Sequence, residues 1–63
     1  MSDFRQRLKD ELSELSEKTN KLESFTDTKE FDKLSQIQKS LLIVQLNAMH
    51  TYCSCLYERS NNL

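Results

Sequence analysis

The first third of the chain carries one narrow apolar stripe between charged and serine positions. Its members recur every three or four residues and are Phe4, Leu8, Leu12, Leu15, Thr19 and Leu22. Projected at ~100° per residue, they fall within a sector only ~80° wide. So narrow a stripe is typical of a coiled-coil seam. It predicts a helix over about residues 3–25, with Ser2 or Asp3 as its N-cap.

The second half of the chain has a much wider apolar face, on a helix predicted over about residues 36–60. Around the direction of Leu42 lie Leu46, Met49, Cys53 and Leu56, and the face continues on one side through Ile37, Leu41, Val44, Gln45, Ala48, Tyr52 and Cys55. This arc covers ~200°, although Ile43 and Tyr57 project among polar residues, and Gln38 and Arg59 interrupt the arc. The narrow stripe of the first helix cannot cover it. We therefore expect copies of the chain to associate. The predicted oligomer interface comprises Leu41, Leu42, Val44, Ala48, Tyr52 and Cys55.

The connector, residues 26–35, breaks the helical pattern without glycine or proline. Asp27 followed by Glu30 fits a capping box and predicts a short helical turn around residues 28–33. Ser35 followed by Gln38 fits a second one, at the start of the second long helix. The predicted fold is all-α: a single domain, residues 1–63, forming an antiparallel two-helix hairpin that assembles into a homo-oligomeric helical bundle.

Composition and charge narrow the possible environments and partners. The net charge of −1 argues against duplex DNA or RNA, whose binding depends on many phosphate contacts. No apolar run approaches the ~18 residues of a membrane span, and no signal peptide is visible. Cys53 and Cys55 point ~200° apart on a helix and cannot bridge within one chain. Free thiols favour a reducing compartment, so we expect a cytoplasmic protein.

The chain lacks the residue constellations of common enzymes. It has one histidine, no Ser-His-Asp or Cys-His-Asp arrangement with an orienting partner, and no glycine-rich phosphate loop. His50 and Cys53 are helix neighbours that could supply half a zinc site, but the other ligands are missing. We expect a protein that is not an enzyme, with no metal and no cofactor.

The open end of the predicted hairpin gathers aromatic and basic residues from both helices. Those residues are Phe4, Arg5, Arg7 and Lys9 from the first helix, and Tyr52, Tyr57 and Arg59 from the second. Aromatic rings beside arginines could stack on a nucleotide base and pair with phosphate. Alternatively, the aromatics complete the core while the basic residues pair with Asp10, Glu11 and Glu58. Gln45, amid the apolar arc, could bond its symmetry mate or meet a ligand.

Three stretches carry a resemblance to a known group. The pattern Leu-Leu-x-x-Gln-Leu-x-x-Met-x-x-Tyr-x-x-x-Leu-x-x-Arg runs from Leu41 to Arg59, and Phe4–Leu8 and Lys21–Phe25 precede it. Together they resemble small helical-hairpin proteins of tailed and crAss-like phages. These look related to the hairpin shared by anti-CBASS and anti-Thoeris sponges.

The resemblance implies a function and a site. Such sponges form oligomers, commonly hexamers, in the cytoplasm of the host bacterial cell. They bind cyclic di- or trinucleotides or cyclic ADP-ribose signals without hydrolysing them. By resemblance, Phe4 would stack on a base. The full set of predicted ligand-binding residues is Phe4, Arg5, Lys9, Gln45, Met49, Tyr52 and Arg59.

Two other functions remain open from the sequence. The chain could be a coiled-coil adaptor whose second helix docks on a host or phage protein through its apolar face. A small transcription regulator is disfavoured by the acidic balance and by the lack of a recognition-helix pattern.

Overall fold

The computed structural model describes residues 3–63, which form three helices. The first, α1, spans Phe4–Phe25, the short α2 spans Lys29–Asp32, and α3 spans Gln36–Asn61. Residues 3–63 contain no strand, so the all-α prediction is confirmed. The molecule is a rod of 45 × 17 × 15 Å, and its two long helices pack side by side.

Both long helices begin at side chains that cap their free backbone N–H groups. Asp3 is the N-cap of α1, and its carboxylate accepts from the N–H of Gln6 at 2.8 Å. Ser2, the other candidate, lies outside the described residues. Ser35 caps α3, and its hydroxyl accepts from the N–H of Gln38 at 3.3 Å. Each bond satisfies a donor that the helix itself leaves unpaired.

The cap of α2 is Thr28, so the prediction of an Asp27–Glu30 capping box is wrong. The Thr28 hydroxyl accepts from the N–H of Phe31 at 3.2 Å. The same hydroxyl donates to the carbonyl of Phe25 at 2.7 Å, which ties α2 to the end of α1. The backbone N–H of Asp27 instead bonds the carbonyl of Ser24, so this residue still belongs to the terminal turn of α1.

The seam between α1 and α3 is antiparallel and thin. Within residues 3–63, the buried side chains are Leu8, Thr19, Phe31, Leu46 and Leu56, of which Leu56 alone is fully buried. The Thr19 hydroxyl donates to the carbonyl of Leu15 at 2.7 Å and lies 3.6 Å from the Cys53 sulfur. The Phe31 ring packs edge-on against Phe25 with 6.0 Å between ring centroids, and this pair closes the connector end.

The apolar face of α3 is only partly covered by α1. Ile37 is 67% exposed, Val44 64% and Leu41 55%, and Ala48 and Cys55 are also exposed. Of the predicted interface residues, Leu42 is instead half-buried, because it shares the inner face of α3 with Leu46. The hairpin thus leaves a second apolar row on α3 in solvent, pointing away from the seam.

Candidate functional site

The open end of the hairpin brings Phe4 and Arg59 together. The guanidinium carbon of Arg59 lies 5.8 Å from the centroid of the Phe4 ring, a cation–π distance. The two side chains line a hollow of about 320 Å³. Its other lining residues are Arg7, Leu8 and Glu11. Phe4 is 50% exposed, so the residue remains accessible to a ligand.

Tyr52 joins this end of the molecule through Glu11. Its hydroxyl donates a short hydrogen bond to the Glu11 carboxylate. That bond, with the nearby negative charge, raises the pKa of Tyr52 above its ordinary value, because the carboxylate favours the protonated phenol. Glu11 also lines a second hollow, of about 260 Å³, together with Glu14, Leu15, Lys18 and Tyr52. The two hollows therefore share Glu11 as a common wall.

Arg5 and Lys9 lie apart from the Phe4–Arg59 hollow. Arg5 lines a separate hollow of about 280 Å³ with Asp3, Phe4 and Leu63, so it reaches only another side of the Phe4 ring. Lys9 is exposed and lines neither of the hollows that share Glu11. Of these two predicted phosphate-binding cations, only Arg5 adjoins the aromatic residue.

Gln45 and Met49 are not brought to this end within one hairpin. Arg59 is fourteen residues from Gln45, or ~21 Å along the axis of α3. Gln45 is exposed, whereas Met49 is half-buried on the inner face of α3. The single hairpin therefore assembles Phe4, Tyr52 and Arg59, with Arg5 beside them.

Tyr57 lies on the opposite flank of the seam from Tyr52. It lines a hollow of about 350 Å³ whose other walls are Leu12, Ser16, Cys53, Ser54 and Glu58. The only charged side chain there is the Glu58 carboxylate, which would repel an anion. Although larger, this hollow suits a nucleotide less well than the one beside Phe4 and Arg59.

The structure adds Arg7, Glu11 and Lys18 to the candidate site. Arg7 was recognisable as part of the basic group at the open end, but Glu11 and Lys18 needed the rotation of α1 against α3. Within residues 3–63, the Lys21 ammonium lies 3.2 Å from the Glu17 carboxylate and a ring nitrogen of His50 lies 3.7 Å from the Glu23 carboxylate, and no Lys or Arg forms an ion pair with Asp10, Glu11 or Glu58. The predicted pairing of the basic residues with Asp10, Glu11 and Glu58 is therefore wrong for the described residues. Instead, Asp10 accepts from the side-chain amide of Gln6 at 2.9 Å.

The chemistry of the two adjoining hollows follows from their side chains. An aromatic ring face can stack on a planar base, and guanidinium groups can pair with phosphate oxygens in a bidentate manner. The Glu11 carboxylate can accept a hydrogen bond from a hydroxyl or an amine of a ligand, as it does from Tyr52. Residues 3–63 hold no group of three or more side chains placed to bind a metal ion.

The fold and this site define a class: a small helical hairpin with an aromatic and cationic open end. None of the helices in residues 3–63 has an apolar stretch sufficient to span a lipid bilayer. The model of one family, Sequestin, matches residues 2–62, nearly the whole chain. The chain belongs to the Sequestin family.

A relative encoded by a phage supports the interpretation of this chain as a small phage protein. The chain is 32% identical over 56 residues to the "Uncharacterized 7.5 kDa protein in denB-rIIB intergenic region" of Enterobacteria phage T4. The alignment covers 89% of this chain and 88% of the relative. No solved structure matches the chain.

Proposed function

We propose that this chain is a self-associating phage protein that sequesters a cyclic nucleotide signal of the host's immune system without hydrolysing it. The signal would be a cyclic di- or trinucleotide or a cyclic ADP-ribose, captured in the cytoplasm of the infected bacterial cell. The family name suggests sequestration. The observation that carries the nucleotide proposal is that Phe4 is half-exposed and has the Arg59 guanidinium carbon 5.8 Å from the centroid of its ring.

Each part of the hollow has a role in such capture. The exposed face of Phe4 stacks on a base, a contact worth ~1–3 kcal/mol. Arg59 and Arg7 meet phosphate oxygens, with Arg5 approaching from the other side of the ring. Because a carboxylate among these cations repels phosphate, Glu11 faces a ligand donor such as a ribose hydroxyl or a base amine. Tyr52 lies beside it.

Sequestration needs binding and no chemistry. If binding sites are present at ~100 times the dissociation constant of the complex, only ~1% of the signal stays free. An effector that responds above that level is then silent. The captured molecule is released intact when the protein unfolds, which separates this mechanism from enzymatic degradation.

Calorimetry of the purified protein against cyclic di- and trinucleotides and cyclic ADP-ribose isomers tests the proposal. We expect one of these compounds to bind, and chromatography after heat denaturation to recover it unchanged. Phe4→Leu and Arg59→Gln should each weaken binding ~5- to 100-fold. Lys33→Gln, a matched loss of an exposed charge at the connector end, should not. Absence of a binding heat across the panel would end the nucleotide proposal, and a degraded ligand would refute simple sequestration.

A second candidate function rests on the exposed apolar row of α3. With Ile37, Leu41 and Val44 each more than half exposed, this face could dock on a host or phage protein as an adaptor. Light scattering distinguishes the two candidates. A closed oligomer supports the sponge, whereas a monomer with the row exposed supports the adaptor.

A further inference from the structure

The exposed apolar row of α3 has an internal symmetry in its spacing. We name it the outer stripe, and it consists of Ile37, Leu41, Val44, Ala48, Tyr52 and Cys55. At ~100° per residue all six project within ~80° of one another, on a side of α3 turned away from the seam. Val44 and Tyr52 lie four positions on either side of Ala48, and Leu41 and Cys55 lie seven positions on either side.

We propose that two copies of the chain pair antiparallel along this stripe, about a two-fold axis at Ala48, and that the pairing completes the candidate site. Reversing the helix about Ala48 sets Val44 opposite the partner's Tyr52 and Leu41 opposite the partner's Cys55. Ala48 meets its own mate. A small residue at the crossing point lets the two helix axes approach closely, and larger side chains pack on either side.

A second copy fits this surface because of its chemistry and its length. No member of the outer stripe is charged, and Arg59, which follows it on the same side of α3, meets the partner's Ile37 across this two-fold axis. Pairing the stripe with itself therefore brings no like charges together. The described chain buries only four hydrophobic side chains, fewer than it leaves as exposed large ones. A core this small is marginal for 63 residues, and association is a usual remedy. The stripe is ~27 Å long, so its mate must present an equally long straight helix, as α3 does.

The pairing changes the position of Gln45 relative to the candidate site. Within one chain, Gln45 and Tyr52 are seven residues apart, which is ~10 Å along the axis. With a two-fold axis at Ala48, Gln45 of one copy lies level with Thr51 of the other copy. Measured along the helix, Gln45 is then within ~1.5 Å of the other copy's Tyr52. The two-fold axis is perpendicular to both helices and lies in the plane in which they touch. Rotation about it therefore leaves equivalent residues of the two copies on the same flank of the helix pair.

Gln45 and Tyr52 project to the same flank of the stripe, and this is the flank on which Tyr52 bonds Glu11 of α1. The dimer therefore places one copy's Gln45 beside the other copy's Glu11–Tyr52 pair. The amide would supply a donor and an acceptor next to a carboxylate and a phenol. That Gln45 contacts a ligand there rests on the proposed function, whereas the pairing itself does not.

Disulfide trapping tests the pairing without any ligand. Ala48→Cys should give a covalent dimer under mild oxidation, because residue 48 lies on the axis. Leu41→Cys should also cross-link, through the partner's Cys55, and should lose the cross-link when Cys55→Ser is added. In the unmodified chain, Cys55 is ~21 Å along the axis from its mate and should not cross-link to it. Asn20→Cys, an exposed position on α1, is the control.

Each outcome bears on the proposal. Cross-linking through Cys55 in the unmodified chain would indicate a parallel or shifted contact and would overturn the pairing. Failure of both Ala48→Cys and Leu41→Cys to cross-link would overturn it as well. Light scattering that shows a monomer at high concentration would do the same, and it needs no variant.

A mixing experiment tests the shared site. Chains carrying Gln45→Ala and chains carrying Tyr52→Ala are unfolded together, refolded and titrated with the same cyclic nucleotide panel. Each variant alone should bind weakly, but mixing should restore about a quarter of the sites, because half of the dimers are mixed and each has one intact site. A mixture that binds no better than its parts, with the cross-links present, refutes the shared site. If even the unmodified chain binds no compound, the proposed function fails and the pairing stands on the cross-links.

Discussion

Leu56 is the most completely buried side chain of the hairpin, with no exposed surface, and its truncation should be severe. Leu56→Ala removes three carbon groups at ~0.8 kcal/mol each, and the cavity left behind adds to this loss. We expect the free energy of unfolding to fall by ~3–4 kcal/mol. A chain of 63 residues has a total stability of only ~3–9 kcal/mol, so this loss is at least about a third of the whole.

Urea titration followed by circular dichroism at 222 nm measures this loss, since nearly all of the signal comes from helix. Leu41→Ala is the matched control, because it makes the same chemical change at a position that is 55% exposed. In dilute solution it should cost ~1 kcal/mol or less. A Leu56→Ala loss below ~1 kcal/mol, or one no larger than that of Leu41→Ala, would contradict the assignment of Leu56 to the core.

Two further predictions test particular hydrogen bonds. The Glu11 carboxylate raises the pKa of Tyr52, so its stabilising contribution is fully present below the ordinary tyrosine pKa and is lost as pH rises through the raised value. Ultraviolet titration of the phenolate should show Glu11→Gln lowering the pKa of Tyr52, and an unchanged titration would contradict the bond. For the connector, Thr28→Ala should cost ~1 kcal/mol in thermal or urea unfolding, because it removes the N-cap of α2, and Asp27→Ala should cost much less. Equal losses of stability in the two variants would contradict Thr28 as the cap and support Asp27.

The connector shows where local sequence rules become ambiguous. Asp27 and Thr28 are both good capping residues, and each is followed three positions later by a residue that could complete the first turn. Thr28 is the N-cap of α2 because its hydroxyl can also donate to the carbonyl of Phe25 while Phe31 packs against the Phe25 ring. That combination depends on how the end of α1 meets α2, which local propensity does not specify.

The candidate site divides in a similar way between the sequence and the tertiary structure. An antiparallel hairpin of known register is enough to bring Phe4 near Arg59, and the sequence predicted that end as aromatic and basic. The bond between Glu11 and Tyr52 depends on how far each helix is rotated about its own axis. Because the apolar arc of α3 is so wide, several rotations would bury comparable surface, and the pattern alone could not choose among them.

The sequence by itself determined the two long helices, the cap at Ser35 and the excess of apolar surface on α3, because helical period and capping are local properties. At the start of α1 it left Ser2 and Asp3 both open as caps. Only the tertiary structure decided which part of that apolar arc faces α1. Leu46 and Leu56 went inward, while Ile37, Leu41 and Val44 stayed in solvent. The physical reason is that one narrow helix can cover a single row of side chains on its neighbour, so packing has to select one row from a face that offers two.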